Sequence, residues 1–359
     1  MPSPLAIFES DHSRLSTGLS LQASIDETEL AANIHKAYGF DVVLTASSDR
    51  RRDPTKDLRE GARRFTDLTG MTPELDANRY AGPNRDFGGA RIDRGWCELQ
   101  ASLGVPIVTT NAGFLETVDD IRAAIASAQE LQHVIDAPIR ATISIPVSLL
   151  KTDANAVIDI LGGSPLEVGL ALGHGADPLG TKYAVEAVMK IASLGNVASR
   201  RIDLSGIGVL ALGAPGAAIG TTATLRHVYP IKAGGGATSQ YWSTLVEKSL
   251  SWRTHDRVLD ASSVFRDEIF WTCLCDYCYG RQIYSSIRDK SAAIAHNYAV
   301  IARIAERVLS SPNPFTTWVE MCRHAQTYAY EVEAESGPAW APQDFLGAWV
   351  ASQASRVGH

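Results

Sequence analysis

The chain has 359 residues, of which 45% are apolar and 20% charged, and its 33 lysines and arginines against 40 aspartates and glutamates give a formal net charge of −7. This composition excludes disordered, collagen-like and coiled-coil architectures and leaves ample length for a core, in one large barrel or in two domains. The acidic balance exerts no global pull toward nucleic acid or an anionic membrane, so contact with a polyanion needs a local basic patch.

The start, Met1-Pro2-Ser3-Pro4, lacks the charged and apolar regions of a secretory leader. No stretch reaches the roughly 20 apolar residues that span a bilayer, and a cytoplasmic protein with no membrane partner is the expectation. Short β-branched runs predict strands over 5–9, 41–46, 105–110, 140–146, 166–172, 206–212 and 225–231, with a weaker one ending near Leu75 and Asp76. Between them, apolar residues at three- and four-residue spacing predict amphipathic helices over 117–134 and 183–194. Eight such units favour an α/β fold of the (β/α)₈ barrel type, residues 1–233, over the alternative of an open doubly wound sheet. The basic stretch 50–64 reads as a solvated loop and helix face, or as a docking surface. From Gly234 the alternation stops, and 234–359 reads as an appended helical subdomain that holds most of the tryptophans.

Five cysteines carry the clearest chemistry. Cys97 and Cys322 stand alone, whereas Cys273-Leu274-Cys275-Asp276-Tyr277-Cys278 is a C-x-C-x-x-C turn with His296 18 positions further on. Three thiolates and one imidazole fill a tetrahedral shell and leave no open position, so the expected cofactor is a structural Zn²⁺ on Cys273, Cys275, Cys278 and His296. Three buried free thiols beside an unrelated histidine are the alternative, and Cys322 with His324 is a poorer second ligand set. An apolar stripe over 297–309 predicts a helix opened by His296.

This motif resembles the zinc subdomain that follows the barrel in the tRNA-guanine transglycosylase superfamily, whose members exchange guanine for 7-deazaguanine bases in tRNA or, in one type, DNA. The histidine comes sooner here than in the family's usual pattern. Val168-Gly169-Leu170-Ala171-Leu172-Gly173-His174 resembles the family's G-[LF]-A-V-G-E segment, whose backbone lies along the base. The resemblance implies substrate binding by Gly169, Leu170, Ala171 and Gly173. His174 stands where the family has Glu, as a changed specificity residue or a turn residue. Leu75-Asp76-Ala77-Asn78-Arg79-Tyr80 resembles D-S-G-G-[FY]-Q, implying acid/base work for Asp76 and substrate contact for Tyr80; a turn aspartate is the plainer reading.

The sequence also departs from the family. Retaining glycosyl exchange needs a carboxylate nucleophile on a late strand before a proline, where this chain has Arg226-His227-Val228-Tyr229-Pro230. His227, or an acid from another strand end such as Asp86, Asp93, Asp177 or Asp203, is left for that role. The strand over 141–148, where the family reads guanine with an aspartate, has no acid. Two functions follow. One is a glycosyltransferase acting on the N-glycosidic bond of guanine or a 7-deazaguanine in tRNA, DNA or a nucleoside; the other is an inactive paralogue serving as a binding subunit. The resemblance implies a homodimer or heterodimer, and Arg50, Arg51, Arg52, Lys56, Arg253 and Arg257 are the candidate patch for tRNA or DNA.

Overall fold

The computed structural model describes residues 18–47, 54–89, 92–231 and 242–357, with side chains described to 353 in the last helix. Within them the chain divides into two compact units, one of 18–178 with 186–231 and one of 179–185 with 242–357.

The first unit is a mixed α/β fold in which eight parallel strands form a nearly closed barrel, each followed by helix. The order is β1 (Leu19–Ser24), α1 (Thr28–Tyr38), β2 (Asp41–Thr45), α2 (Pro54–Thr69), β3 (Glu74–Asp76), α3 (Arg94–Leu103), β4 (Val108–Thr109) and α4 (Val118–Gln132). It continues with β5 (Ile139–Pro146), α5 (Leu149–Thr152), α6 (Ala154–Gly162), β6 (Glu167–Gly173), α7 (Lys182–Ala192), β7 (Val197–Ile202), α8 (Ser205–Leu210), β8 (Ala217–Gly220) and α9 (Ala223–Arg226). The strands lie in the order β3-β2-β1-β8-β7-β6-β5-β4. The seam between β3 and β4 is spanned by the Thr109 hydroxyl, which donates to the Leu75 carbonyl.

Local chemistry explains several boundaries. Thr117 and Asp120 form a reciprocal capping box at the start of α4. Asp93 caps α3 by accepting from the Gly95 and Trp96 amides, and Gly104 ends that helix at φ 68°.

Two expected strands are helical. Residues 206–212 belong to α8 and the turn after it, and 225–231 begins in α9. A short, wholly apolar run is compatible with a buried strand or a buried helix, and here Gly206 lets α8 lie on the sheet: a Cβ there would meet Ile202 Cγ2 at 2.8 Å and Ala217 Cβ at 3.3 Å. The true strands of that region, β7 and β8, are polar or small in side chain. β1 is also a strand the β-branched pattern does not reveal, while 5–9 lies outside the described residues. The expected strands over 41–46 and 105–110 contain β2 and β4, those over 140–146 and 166–172 match β5 and β6 to within one residue at each end, and β3 ends at Asp76.

The floor of the barrel is ionic. Glu74 on β3 receives Arg140 of β5 at 2.7 Å and Arg200 of β7, and Arg140 also reaches Glu167 of β6 at 2.8 Å. Gly169 makes room for this group, because a Cβ there would sit 3.3 Å from both Arg140 Cδ and Arg200 Cγ.

The second unit has an antiparallel pair, β9 (Ser243–Val246) and β10 (Ser251–Thr254), then α10 (His255–Val264) and α11 (Glu268–Trp271). The hairpin β11 (Thr272–Cys273) and β12 (Arg281–Gln282) and helix α12 (Ile283–Ser286) follow, and the long helices α13 (Lys290–Leu309), α14 (Pro314–Ser336) and α15 (Asp344–Val357) complete it. Its core is aromatic: Trp318 meets Trp349 edge-on at 6.0 Å and Trp271 meets Trp340 at 5.5 Å. No helix among the described residues is long and apolar enough to cross a membrane.

Glu74→Leu leaves Arg200 without its carboxylate in a site where the side chains are nine-tenths covered, and is expected to lower the barrel's unfolding free energy by about 3 kcal/mol. The exposed Arg94–Glu98 pair is the control: Glu98→Ala should shift it by no more than about 0.5 kcal/mol. Urea midpoints read both.

Candidate active site and metal centre

In a (β/α)₈ barrel the C-terminal ends of the strands form the face that carries chemistry, and Asp76 is the last residue of β3. One Asp76 carboxylate oxygen, Oδ2, accepts from Gln22 Nε2 and Tyr80 OH, each at 2.8 Å, with the Arg201 guanidinium 3.8 Å away. The other, Oδ1, accepts the Asn78 amide at 2.8 Å. Every neighbour donates, so the carboxylate serves as an acceptor. Burial, with the adjacent Asp76 charge, pushes the Tyr80 phenol well above its ordinary value and keeps it a donor.

Gln22 ties three strands together. Its amide donates to Thr45 of β2 and Asp76 of β3 and accepts from the Arg201 backbone of β7 at 3.0 Å. Arg201 in turn lies over the Tyr80 ring at 5.1 Å, donates to Thr224 O at 3.2 Å and contacts the Asn78 side-chain oxygen. Arg201 and Asn78 both take left-handed backbone angles, φ 46° and 57°. Such conformations cost roughly 1 kcal/mol or more in a non-glycine residue and persist where surrounding bonds over-determine them.

The second carboxylate is Asp203, just past β7. It is buried; its Oδ2 lies 3.4 Å from both Arg226 Nε and His227 Nε2, and its Oδ1 accepts the Leu204 amide at 2.7 Å. His227 caps the end of α9 rather than lying on a strand, and its Nδ1 is buried without a hydrogen-bond partner among the described residues. Two of the other three candidate acids do other work: Asp86 pairs with Arg79 at 2.6 Å and Asp93 caps α3.

Strand β6 splits the residues that sequence reasoning grouped. Gly169 lies at the ionic floor and Leu170 is buried. Ala171 belongs to an apolar cluster with Tyr80, Ala81, Phe114 and Val228. Gly173 admits the Phe114 ring, which a Cβ would strike at 2.8 Å, and Gly173 also bridges Val228. The His174 amide donates to Val228 O, and its Nδ1 accepts the Ala176 amide at 3.2 Å, so the ring is engaged in its own turn. Gln22, Arg201 and Arg85 escaped the sequence reading. The alternation Leu19-Ser20-Leu21-Gln22 and the doublet Arg200-Arg201 before Ile202 are the signals that mark them.

The metal centre stands in the second unit. Cys273, Cys275, Cys278 and His296 are all buried, with ligand atoms within 4.8 Å of one another. The three sulfurs lie 3.9, 3.5 and 3.3 Å from His296 Nδ1. A tetrahedral ion with bonds of about 2.3 Å to sulfur and 2.0 Å to nitrogen requires about 3.5 Å between them, so the group fits a metal ion and is consistent with zinc. His296 Nε2 donates to the Leu245 carbonyl at 2.9 Å, which turns the Nδ1 lone pair toward the sulfurs. Next to it, Asn297 accepts from the Leu245 amide and donates to Ser243 O, fastening α13 to β9. His296 stands in the second turn of α13 rather than at its head, since Asp289 is the N-cap. The knuckle turns through Tyr279 and Gly280, both at positive φ, with the Gly280 amide donating to Cys273 O.

Cys97 and Cys322 are buried apart from this group, and burial pushes the Cys97 thiol up to about 12 and Cys322 up as well. Of the candidate basic patch, Arg50, Arg51 and Arg52 lie outside the described residues. Lys56 and Arg257 are exposed. Arg253 does not belong to a surface patch: it is buried, bonded to Ala341 O and laid over Trp340 at 5.1 Å.

No protein-family model matches this chain, and no curated protein matches it.

Elemental analysis of purified protein should return about one metal ion per chain. Cys278→Ser is expected to reduce it well below one and to lower the melting temperature, whereas Cys322→Ser should leave the metal content unchanged.

Proposed function

We propose that the chain is a glycosyltransferase of the tRNA-guanine transglycosylase type, acting on the N-glycosidic bond of guanine or a 7-deazaguanine base in tRNA, DNA or a nucleoside. The observation that carries this reading is the pairing, at the C-terminal ends of β3 and β7, of one fully hydrogen-bonded carboxylate, Asp76, with one carboxylate coupled to a histidine, Asp203 with His227. The barrel followed in sequence by a Cys₃His group supports the same family. Zinc, in a structural role, is the ion assigned to that group.

Breaking an N-glycosidic bond builds positive charge on the sugar and negative charge on the departing base. Asp76, its donors fixing its position, offers its charge to the sugar. His227 is oriented by Asp203 through Nε2 and presents Nδ1 for proton transfer, to the departing base and, in reverse, from the incoming one. Arg226 shares Asp203 and keeps that carboxylate in place. In this reading His227 moves a proton rather than attacking the sugar.

The second reading, an inactive paralogue acting as a partner subunit, is favoured by one feature: Tyr80, Ala81, Phe114, Ala171 and Val228 pack as a buried apolar group where a base would enter. A homodimer or heterodimer is compatible with either.

Release of guanine or a deazapurine from tRNA, DNA and free nucleosides, with a second guanine or 7-deazaguanine base supplied as glycosyl acceptor, separates the two. Wild type should release base from one of them. Asp76→Asn should be slower by about 10²- to 10³-fold, and His227→Asn by about 10²-fold or more. Wild-type rates in Asp76→Asn would remove that residue from the mechanism, and no release by metal-loaded wild type would favour the partner-subunit reading.

A further inference from the structure

The barrel's buried charges balance at the floor and not at the mouth. At the floor, Arg140 and Arg200 face Glu74 and Glu167. At the mouth, Arg201 faces Asp76 and Arg226 faces Asp203, but a third guanidinium, Arg85, has no carboxylate within 4 Å among the described residues; the exposed Glu116 acts on it only through its charge. Arg85 is 8% exposed. It lies over the Phe114 ring at 4.8 Å, its Nε donates to Gly82 O at 3.2 Å, and one terminal nitrogen donates to Tyr229 O. A guanidinium has five N–H donors, so three of them meet no protein acceptor among the described residues.

Burying a cation without a close counter-ion is costly; burial and the Arg201 charge push the Arg85 guanidinium below its ordinary value, and the Glu116 charge offsets this only in part. A second unmatched group adjoins the same phenylalanine. Ser144 on β5 is fully buried, stands in register with Ala171 and bridges Phe114, and its hydroxyl has no partner among the described residues. The open terminal N–H groups of Arg85 and the Ser144 hydroxyl, on two residues that both adjoin Phe114, are donors that meet no acceptor among the described residues, and together they describe a receptor for an anionic oxygen group.

We infer that Arg85, with Ser144 beside it, forms an anion subsite in the barrel mouth that takes a phosphate attached to the sugar whose glycosidic bond is broken. The choice of phosphate rests on the proposed function, because of the three parts of such a substrate, base, sugar and phosphate, only the last is anionic. A single buried cation also suits a chain whose net charge of −7 offers no general attraction for a polyanion. The same chemistry serves a free mononucleotide or one phosphodiester of a strand.

Calorimetric titration of the metal-loaded full chain tests this with guanosine, guanosine 5′-monophosphate, guanosine 3′-monophosphate, a short guanine-containing oligonucleotide and inorganic phosphate. Wild type should bind at least one of the phosphate-bearing guanosine ligands tenfold or more tightly than guanosine. In Arg85→Gln that ratio should fall to about one with guanosine affinity kept, and Arg85→Lys should lie between. Circular dichroism and metal content establish that each variant is folded. If Arg85→Gln does not fold, Arg85→Lys and Ser144→Ala carry the comparison, each with a reduced ratio expected. A monophosphate preferred over the oligonucleotide identifies a free nucleotide as the source, and the reverse a strand. Equal affinity for guanosine and every phosphate-bearing ligand, or a ratio unchanged in the folded variants, overturns the subsite and leaves the glycosyltransferase reading standing. Arg85-dependent binding of inorganic phosphate without binding of any guanosine ligand keeps an anion site but overturns its assignment to a nucleotide and the guanine reading with it. No binding of any ligand overturns both.

Discussion

The candidate site depends on one buried amide. Gln22 presents both ends of its side chain to partners on other strands, donating to Thr45 and Asp76 and accepting from the backbone of Arg201. A neutral group that both donates and accepts can hold a carboxylate on one side of a barrel and a guanidinium-bearing backbone on the other without adding charge. The left-handed turn at Arg201, the pose of its guanidinium over Tyr80 and the direction of Asp76 all follow from that bridge. Removing one partner would leave the others as buried, unsatisfied groups, the costliest state for a polar interior.

The barrel interior is accordingly polar by layers. The ionic floor closes one end with matched charges, and the small residues of β6 decide what fits above it. Gly169 yields space to two arginine stems, Ala171 to the apolar group, and Gly173 to the Phe114 ring. A strand rich in glycine invites the reading that its backbone touches a ligand. In this chain Gly169 and Gly173 make room for side chains from other elements, and the charged and polar groups cluster at the strand ends.

Much of this was legible from residues alone, for physical reasons. The Cys₃His group shows in sequence because three thiols within six positions have few purposes beyond metal binding, and the strands β2, β4, β5 and β6 show because they are apolar on most positions. β1 and β7 escaped because their inward faces carry Ser20, Gln22, Arg200 and Arg201, which read as surface residues. α8 passed for a strand because six apolar residues have no period that separates a buried helix from a buried strand. Asp76 was placed by its position at a strand end. The Asp203–His227 pair is formed by a loop and a helix end 24 positions apart, and only the folded barrel brings them together.

The most direct test of the account is exchange of the base itself. Metal-loaded protein is incubated with isotopically labelled guanine together with unlabelled tRNA, DNA or guanosine, each in its own reaction, and the polymer or nucleoside is then isolated. The account predicts label in the N-glycosidic position of one of these substrates, with Gln22→Leu incorporating far less at equal metal content. Absence of label from all three, with folded protein and a filled metal site, would contradict it.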